Sequence, residues 1–464
     1  MTGLGVFFLY LAFPSYLHNF DGVACAIAVE LGDLRHLVHG NHMLFGLAGC
    51  VFFKTLSLIG MKSALASLKL LDSLLAAAGA GIMHRLLRRL GFSNRIAALC
   101  GVGLAVSYGY WLWGLEVQVY MLGAVLLLLT LEEAVRDEPR PVRLALWHAA
   151  AMLCHGANVL FAPAAIYALW RSRVKSKRRG ALLRYAAAAS GTVLLAYLLV
   201  ALFIIRPHSF ADLRLWLLGS AALGPDRTVL WHGQGLSASL RDWLRMSAEL
   251  VSPIYWLSLP LWGAALWSLS RLREHGRFRP LIITAWLWLP AYALLFTQWE
   301  PYTLVYRVSD LVPLWLLAAV AAHHLIEWKG WKAGLLAAAY IPALALTNLQ
   351  TGIRPKSEPQ SNAALSETLW IQNATPENAW IAAYGIEEVY FPYFAHRHPL
   401  NLRYFQGREQ ALTERLWEML EAGRPVYVTA KRLQETPVFP PGLGLREVAR
   451  RGDLVLYEIT SIAQ

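Results

Sequence analysis

Charge is scarce in this chain. Only 16% of its 464 residues are Asp, Glu, Lys or Arg, where soluble globular chains carry about 25%. That deficit excludes an ordinary water-exposed surface over the whole molecule. Cysteine is scarce too: Cys25, Cys50, Cys100 and Cys154 are the four present. None forms a Cys-x-x-Cys pair and none lies in the hydrophilic tail, so neither a disulfide framework nor a zinc site is indicated. The first apolar stretch, Leu4 to Leu17, lacks a basic leader and a convincing small-residue cleavage site. It is expected to be a retained helix rather than a signal peptide. No internal repeat of fixed period is present.

What fills the space is apolar. The chain is 57% hydrophobic with 34 Gly, 19 Trp and 19 Tyr, and its mean hydropathy is +0.41. Gly is tolerated within membrane helices, and Trp and Tyr collect at membrane interfaces. A formal charge of +12 raises the question of a nucleic-acid partner. The Lys and Arg residues sit mostly in short loops between apolar stretches, however, so they read as orientation signals in a membrane. No nucleic-acid partner is expected.

A bilayer core of about 30 Å needs roughly 20 apolar residues per helix. Eleven stretches are expected to span: 3–18, 62–84, 94–112, 117–135, 142–155, 157–171, 182–205, 250–270, 279–297, 309–327 and 332–349. The apolar segment 36–60 is expected to be re-entrant or surface-lying. With that choice the basic runs at Arg85–Arg89, Arg136–Arg143, Arg171–Arg184, Arg271–Arg279 and Lys329–Lys332 all fall in the cytoplasm, as the positive-inside rule requires. The segment 19–61 then faces outward, as do the turns at 111–116 and 155–156, the loops 206–249 and 298–307, and everything after about 350. The expected fold is a polytopic α-helical membrane protein of about eleven transmembrane helices, with a membrane domain over 1–349 and a small extracytoplasmic α/β domain over 350–464. In that domain 380–384, 400–405, 425–430 and 454–459 suit strands, and 408–422 suits an amphipathic helix stopped at Gly423.

Polar residues on the expected outer face are the candidates for chemistry. Asp21 follows directly on the first apolar stretch and is a candidate general base, against the plainer reading of an interfacial charge. Glu30 and Asp33 follow, and three acids could bind a cation or activate an acceptor hydroxyl. His39-Gly40-Asn41-His42 reads as a polar turn that contacts a ligand. A divalent cation is conceivable there, although no third ligand has diagnostic spacing. Glu116 and Gln118 stand at the mouth of an otherwise apolar helix. Ionisable groups at bilayer depth default to function, while an acid also favours a helix N-terminus. Arg307, with Glu300 and Asp310 nearby, suits a phosphate or an ion pair with either acid. His155 marks another outer turn.

Together these pieces resemble the GT-C superfamily of polytopic glycosyltransferases, and within it the bacterial relatives of protein O-mannosyltransferases. The resemblance rests on Asp21 after the first helix, on His39-Gly40-Asn41-His42-Met43-Leu44-Phe45, on Leu68-Lys69-Leu70-Leu71-Asp72-Ser73-Leu74-Leu75, on Trp113-Gly114-Leu115-Glu116-Val117-Gln118-Val119-Tyr120, and on Trp299-Glu300-Pro301 through Arg307 to Leu314. The α/β tail is similar to the family's outer domains. Two departures stand out: Gly22 follows Asp21 where many relatives carry an acid or Ser, and Gln118 interrupts the Glu-Val-Tyr run.

The resemblance implies an inverting glycosyltransferase of hexosyltransferase type in a bacterial inner membrane. Its donor would be a polyprenyl-phosphate-linked sugar and its acceptor a lipid, glycan or protein, with no cofactor required for certain. Asp21 and Glu116 would be catalytic; Glu30, His39, His42, Tyr120, His155, Glu300 and Arg307 would bind substrate. The competing reading is a lipid or small-molecule transporter or flippase, which would place its acids near the midplane on broken helices with paired repeats. A third is a scaffold whose tail binds a partner.

Overall fold

Apolar side chains in the first 350 residues are organised almost entirely as helix, because backbone groups without water must bond within their own segment. The computed structural model describes residues 2–171, 178–222, 235–270, 272, 276–436 and 438–463. Each of the eleven expected stretches overlaps helical chain. Among the described residues, four helices are long and apolar enough to cross a membrane: Ala64–Arg89, Arg178–Ile205, Arg279–Phe296 and Leu304–Lys329. A bent pair, Asn94–Val106 and Tyr108–Gly114, makes a fifth if counted as one span. The expected count of about eleven is not reached on those terms. Several stretches are too short, such as Thr2–Leu11, Pro141–Cys154 and Gly156–Trp170. Segment 36–60 holds one short apolar helix, Met43–Ser57. These helices are those of an integral membrane protein.

The bend in the pair is 65° and has an identifiable cause. The helix breaks at Ser107, which frees the Val106 carbonyl from a helical partner. Asn348 answers it: its Nδ2 donates to the carbonyls of Val106 and Val251, both at 2.8 Å. Tyr108 N then donates to Val251 O at 3.0 Å and Gly109 N to Leu250 O at 2.8 Å. Trp315 Nε1 donates to Ser107 Oγ at 2.9 Å, and its ring lies against Gly103, where a Cβ would meet it at 2.3 Å. The Val106 carbonyl and the Tyr108 and Gly109 N–H groups at the break are thus taken up by neighbouring chain.

The chain divides into two compact units: residues 1–15 with 28–357, and residues 16–27 with 358–464. The expected boundary at 350 thus moves to 358, and a short N-terminal segment joins the second unit. That unit holds a five-stranded sheet of order β2-β1-β3-β5-β4, from β1 (Trp380–Ala383), β2 (His398–Asn401), β3 (Val426–Thr429), β4 (Leu443–Arg451) and β5 (Leu454–Ile462). β2, β1 and β3 are parallel, and β3, β5 and β4 are antiparallel. The parallel connections run through helical chain, including Glu409–Glu421, whose Leu412, Leu416 and Met419 pack against Val426, Val428 and Ile459. Of the expected second strand only 400–401 is strand; 402–405 is a 3-10 turn. β4 was not expected, because it is an exposed edge carrying Arg446, Glu447, Arg450 and Arg451 rather than an apolar run. Charge on an edge strand blocks further pairing.

Asn348→Ala is expected to destabilise the helical unit by about 1–3 kcal/mol, since the Val106 carbonyl loses its donor and the Val251 carbonyl keeps only that of Tyr108. Asn348→Asp should cost more, because it sets a carboxylate against them. Thermal unfolding of the detergent-solubilised protein checks the order of the two; equal stability of all three proteins would remove Asn348 as the support of the bend.

Candidate functional site

The helix Ala64–Arg89 carries Lys69, Asp72 and Ser73 in its otherwise largely apolar first half, away from its basic end at His84–Arg89. These three hold the segment that follows the bent pair. Lys69 Nζ donates to Glu116 Oε1 at 2.8 Å and to the Ser15 carbonyl at 2.7 Å. Asp72 Oδ2 accepts from the backbone N–H of Gln118 at 2.8 Å, and Ser73 Oγ donates to Gly114 O at 2.9 Å. The Glu116 side chain is 1% exposed and that of Lys69 14%. Glu116, expected at an outer helix mouth, is therefore one half of a buried ion pair. Its partner was legible: a lone Lys and Asp three apart on an apolar helix are the kind of ionisable groups that membrane depth makes costly unless paired.

The Gln118 contact starts the helix Val119–Ala134 and places Tyr120 at its first turn. Tyr120 Oη lies 3.4 Å from His155 Nε2, with the rings 5.0 Å apart. The turn holding His155 is tied to the 39–42 turn by Gly156 N donating to Asn41 O at 3.0 Å. Within that second turn the rings of His39 and His42 stack at 4.3 Å. Gly40 between them is required: a Cβ there would meet the Trp216 carbonyl at 2.3 Å. Four residues expected to bind substrate, His39, His42, Tyr120 and His155, are thus brought together from three separate parts of the sequence. An aromatic wall continues from them. Tyr306 stands 5.6 Å from Tyr120 and stacks on Trp299 at 4.9 Å and on Phe296 at 5.7 Å. Tyr120, His155, Asn158, Tyr292, Phe296 and Tyr306 enclose a cavity of about 10 Å³, the space of a single water. Trp299 stood in a quoted motif, but Tyr292, Phe296 and Tyr306 were missed, because an aromatic among apolar residues carries no mark of its facing a site.

Glu300 follows Trp299 with a left-handed backbone, φ 49°, and its carboxylate accepts from Thr303 Oγ1 at 3.1 Å. Arg307 is 1% exposed and its guanidinium is engaged on every nitrogen. Nε donates to Asp310 Oδ2 at 2.6 Å, Nη1 to Trp243 O at 3.3 Å and Nη2 to Ser247 Oγ at 3.0 Å. Its Cζ also lies 4.7 Å from the Trp243 ring centre. Between the two acids considered for it, Asp310 is the partner. Glu30 is exposed, and its Oε1 accepts from Ala64 N at 3.0 Å; it caps the N-terminus of the long helix, where an acid is favoured.

Asp21 belongs to the second unit. It is exposed, in the first turn of the helix Phe20–Leu31. Asn19 Oδ1 accepts from Gly22 N at 2.9 Å, which fixes the start of that helix. Among the described residues no group of three or more His, Cys, Asp or Glu is placed to hold a metal ion.

No family model matches the sequence, and no curated protein matches it. Solved structures do. ArnT from Cupriavidus metallidurans bound to undecaprenyl phosphate is similar at 15% identity with a TM-score of 0.68, over 98% of this chain and 96% of that one. The oligosaccharyltransferase AglB from Archaeoglobus fulgidus, in complex with an inhibitory peptide and a dolichol-phosphate, is similar at 12% identity and a TM-score of 0.53, over 92% of this chain and 69% of that one. The arabinofuranosyltransferase AftD from Mycobacteria matches at 14% identity and a TM-score of 0.55, over 99% of this chain and 39% of that one. The chain therefore has the fold of the GT-C glycosyltransferases.

Two outcomes follow from the geometry. Lys69→Met or Glu116→Gln alone should destabilise by about 3–5 kcal/mol, as expected for a buried pair with one partner removed, and the double variant should recover most of it. Chemical denaturation in detergent measures this; additive losses would mean that the two do not act as a pair. The second concerns the histidine turn. Burial holds His39 below its ordinary value; burial, then His39 and His155, push His42 down to about 3. Both are neutral when folded, so their contribution to stability is full above the unfolded value of about 6.5 and is lost as pH falls from there. From pH 7.5 to pH 5 the loss from His42 should be about 1–2 kcal/mol. His42→Gln should shrink the drop in thermal midpoint between those pH values; an unchanged drop would refute the assignment.

Proposed function

We propose that the protein is a membrane glycosyltransferase that moves a sugar from a polyprenyl-phosphate-linked donor to an acceptor on the extracytoplasmic face. The observation that carries this is the fold: 98% of the chain follows a structure bound to undecaprenyl phosphate. The proposal includes about eleven membrane passes, with the shorter helices crossing end to end in pairs or where the bilayer is locally thinned, and an outward-facing second unit in a bacterial inner membrane. Within it, residues 1–349 would carry the catalytic machinery and 350–464 the outer domain that engages the acceptor. The acceptor is a lipid, glycan or protein.

In the proposed reaction Asp21 takes the proton from an acceptor hydroxyl. The resulting oxygen attacks the anomeric carbon of the donor, and the bond from that carbon to the phosphate oxygen breaks. The lipid phosphate leaves with the bonding electrons, and in-line attack inverts the centre. The transferred group is proposed to be a hexose, in the manner of the mannosyltransferase-like members of the fold. The leaving group is anionic already, so it requires charge stabilisation more than protonation. Arg307, paired with Asp310 and lying over the Trp243 ring, is proposed to contribute to substrate binding as a fixed dipole. His39, His42, Tyr120 and His155 are proposed to bind the donor, with Glu30 and Glu300 at the rim. Stacked rings and neutral imidazoles suit a sugar, which offers apolar faces and hydroxyls together. Glu116 is proposed to act through its pair with Lys69, which puts a positive charge within reach of the same segment.

The test is to incubate the purified protein with a panel of lipid-linked sugars and follow free lipid phosphate by mass spectrometry. Asp21→Asn should lower release by a factor of about 100 or more while leaving the thermal midpoint unchanged. Normal release by that variant would sink Asp21 as the base. Uptake of the lipid-linked sugar into vesicles with no covalent product would favour a transporter instead.

A further inference from the structure

The segment that carries Asp21 lies more than 300 residues before the domain with which it makes its contacts. Residues 14–19 form neither helix nor strand, so their carbonyls need partners from elsewhere. Two buried side chains of the second unit supply them. Asn362 Nδ2 donates to Tyr16 O at 2.8 Å and lies 3.1 Å from Leu17 O and 2.8 Å from Tyr390 Oη. Tyr390 Oη donates to His18 O at 2.7 Å and is 3.1 Å from Leu17 O. An amide has two hydrogens to donate and a phenol one. The shortest contacts use all three: amide to Tyr16 O, amide to Tyr390 Oη, and phenol to His18 O. The remaining Asn362 atom, Oδ1, accepts from Leu365 N at 2.9 Å and caps the helix Ala363–Ala374. One side chain thereby ties the start of a domain helix to the segment.

The segment is held in a conformation it would not adopt freely. His18 has φ 47°, the left-handed region that non-glycine residues seldom occupy. Its ring is packed 5.3 Å from Phe394 and 5.9 Å from Tyr16, and Phe394 in turn meets Tyr390 at 5.0 Å. Residues 19 to 22 then open the Asp21 helix through the Asn19 cap. Asp21 itself is exposed, and its helix begins directly after the backbone that these bonds hold.

We infer that Asn362 and Tyr390 are positioning residues for Asp21, so that the second unit contributes to sugar transfer by fixing the base as well as by meeting the acceptor. This rests on the reading of Asp21 as the base. A displacement of about 1 Å in a reacting group can cost a factor of about 100 in rate, and these hydrogen bonds fix the backbone from Tyr16 to His18, three residues before Asp21.

The test uses the full chain in detergent with Tyr390→Phe, which removes only the hydroxyl, and Asn362→Asp, which keeps the helix cap and loses both donors. Hydrogen exchange followed by mass spectrometry should show residues 16–27 exchanging about 10-fold faster or more in both variants, with β3 and β5 unchanged. Turnover should fall about 10- to 100-fold with the KM for the lipid-linked donor unchanged. In an Asp21→Asn background, Tyr390→Phe should lower the residual rate no further. Unchanged exchange at 16–27, or equal acceleration in β3 and β5, overturns the inference while leaving Asp21 as base. Normal transfer by Asp21→Asn alone overturns the base assignment and this inference with it, whatever the exchange shows.

Discussion

A charge inside an apolar surround has to find its opposite within the protein, and in the helical unit that constraint acts through Lys69 and Glu116. Their contact at 2.8 Å fixes where the chain passes after the bent helix pair. Asp72, one turn further along the same helix, receives the N–H of Gln118 and so sets the first turn of the next helix. Tyr120 is placed by that turn, and the histidine turns and the aromatic wall meet around Tyr120. Removing a charge from the pair therefore reaches the candidate binding cluster through backbone, without either residue touching a ligand. A buried pair of this kind adds little net stability over an apolar replacement, but it discriminates strongly among arrangements of the chain.

The same demand recurs for uncharged groups. Asn348 satisfies the Val106 carbonyl exposed by the break at Ser107, and Asn362 with Tyr390 satisfies those of the irregular segment before Asp21. In each case an amide or phenol from distant sequence answers a short run of backbone that forms no regular structure. Such groups would cost about 1–3 kcal/mol each if left unpaired. Irregular backbone at these positions persists because another element supplies the partner.

Much of the fold was legible before any coordinates. The scarcity of charge, the apolar stretches and the basic loops read as a polytopic membrane protein. The polar tail with short β-rich runs read as a separate α/β unit. Each stretch overlaps a helix, yet short helices such as Thr2–Leu11 show that hydropathy counts apolar residues rather than unbroken hydrogen-bonded length. β4 escaped notice because its exposed edge is charged. At the candidate site, His39, His42, Tyr120 and His155 could each be named from their polarity in apolar surroundings. Phe296 and Tyr306 could not, since their types do not distinguish a core from a site.

By itself the sequence determined the medium and the material: hydrophobicity and charge placement act locally and additively, so they survive reading along a line. Only the tertiary structure decided pairing. It joined Glu116 to Lys69 rather than leaving it at a helix mouth, and Arg307 to Asp310 rather than to Glu300. It also gave the Asp21 segment to the C-terminal unit. The physical reason is that a hydrogen bond or ion pair is set by distances of about 3 Å between groups whose separation along the chain carries no such information.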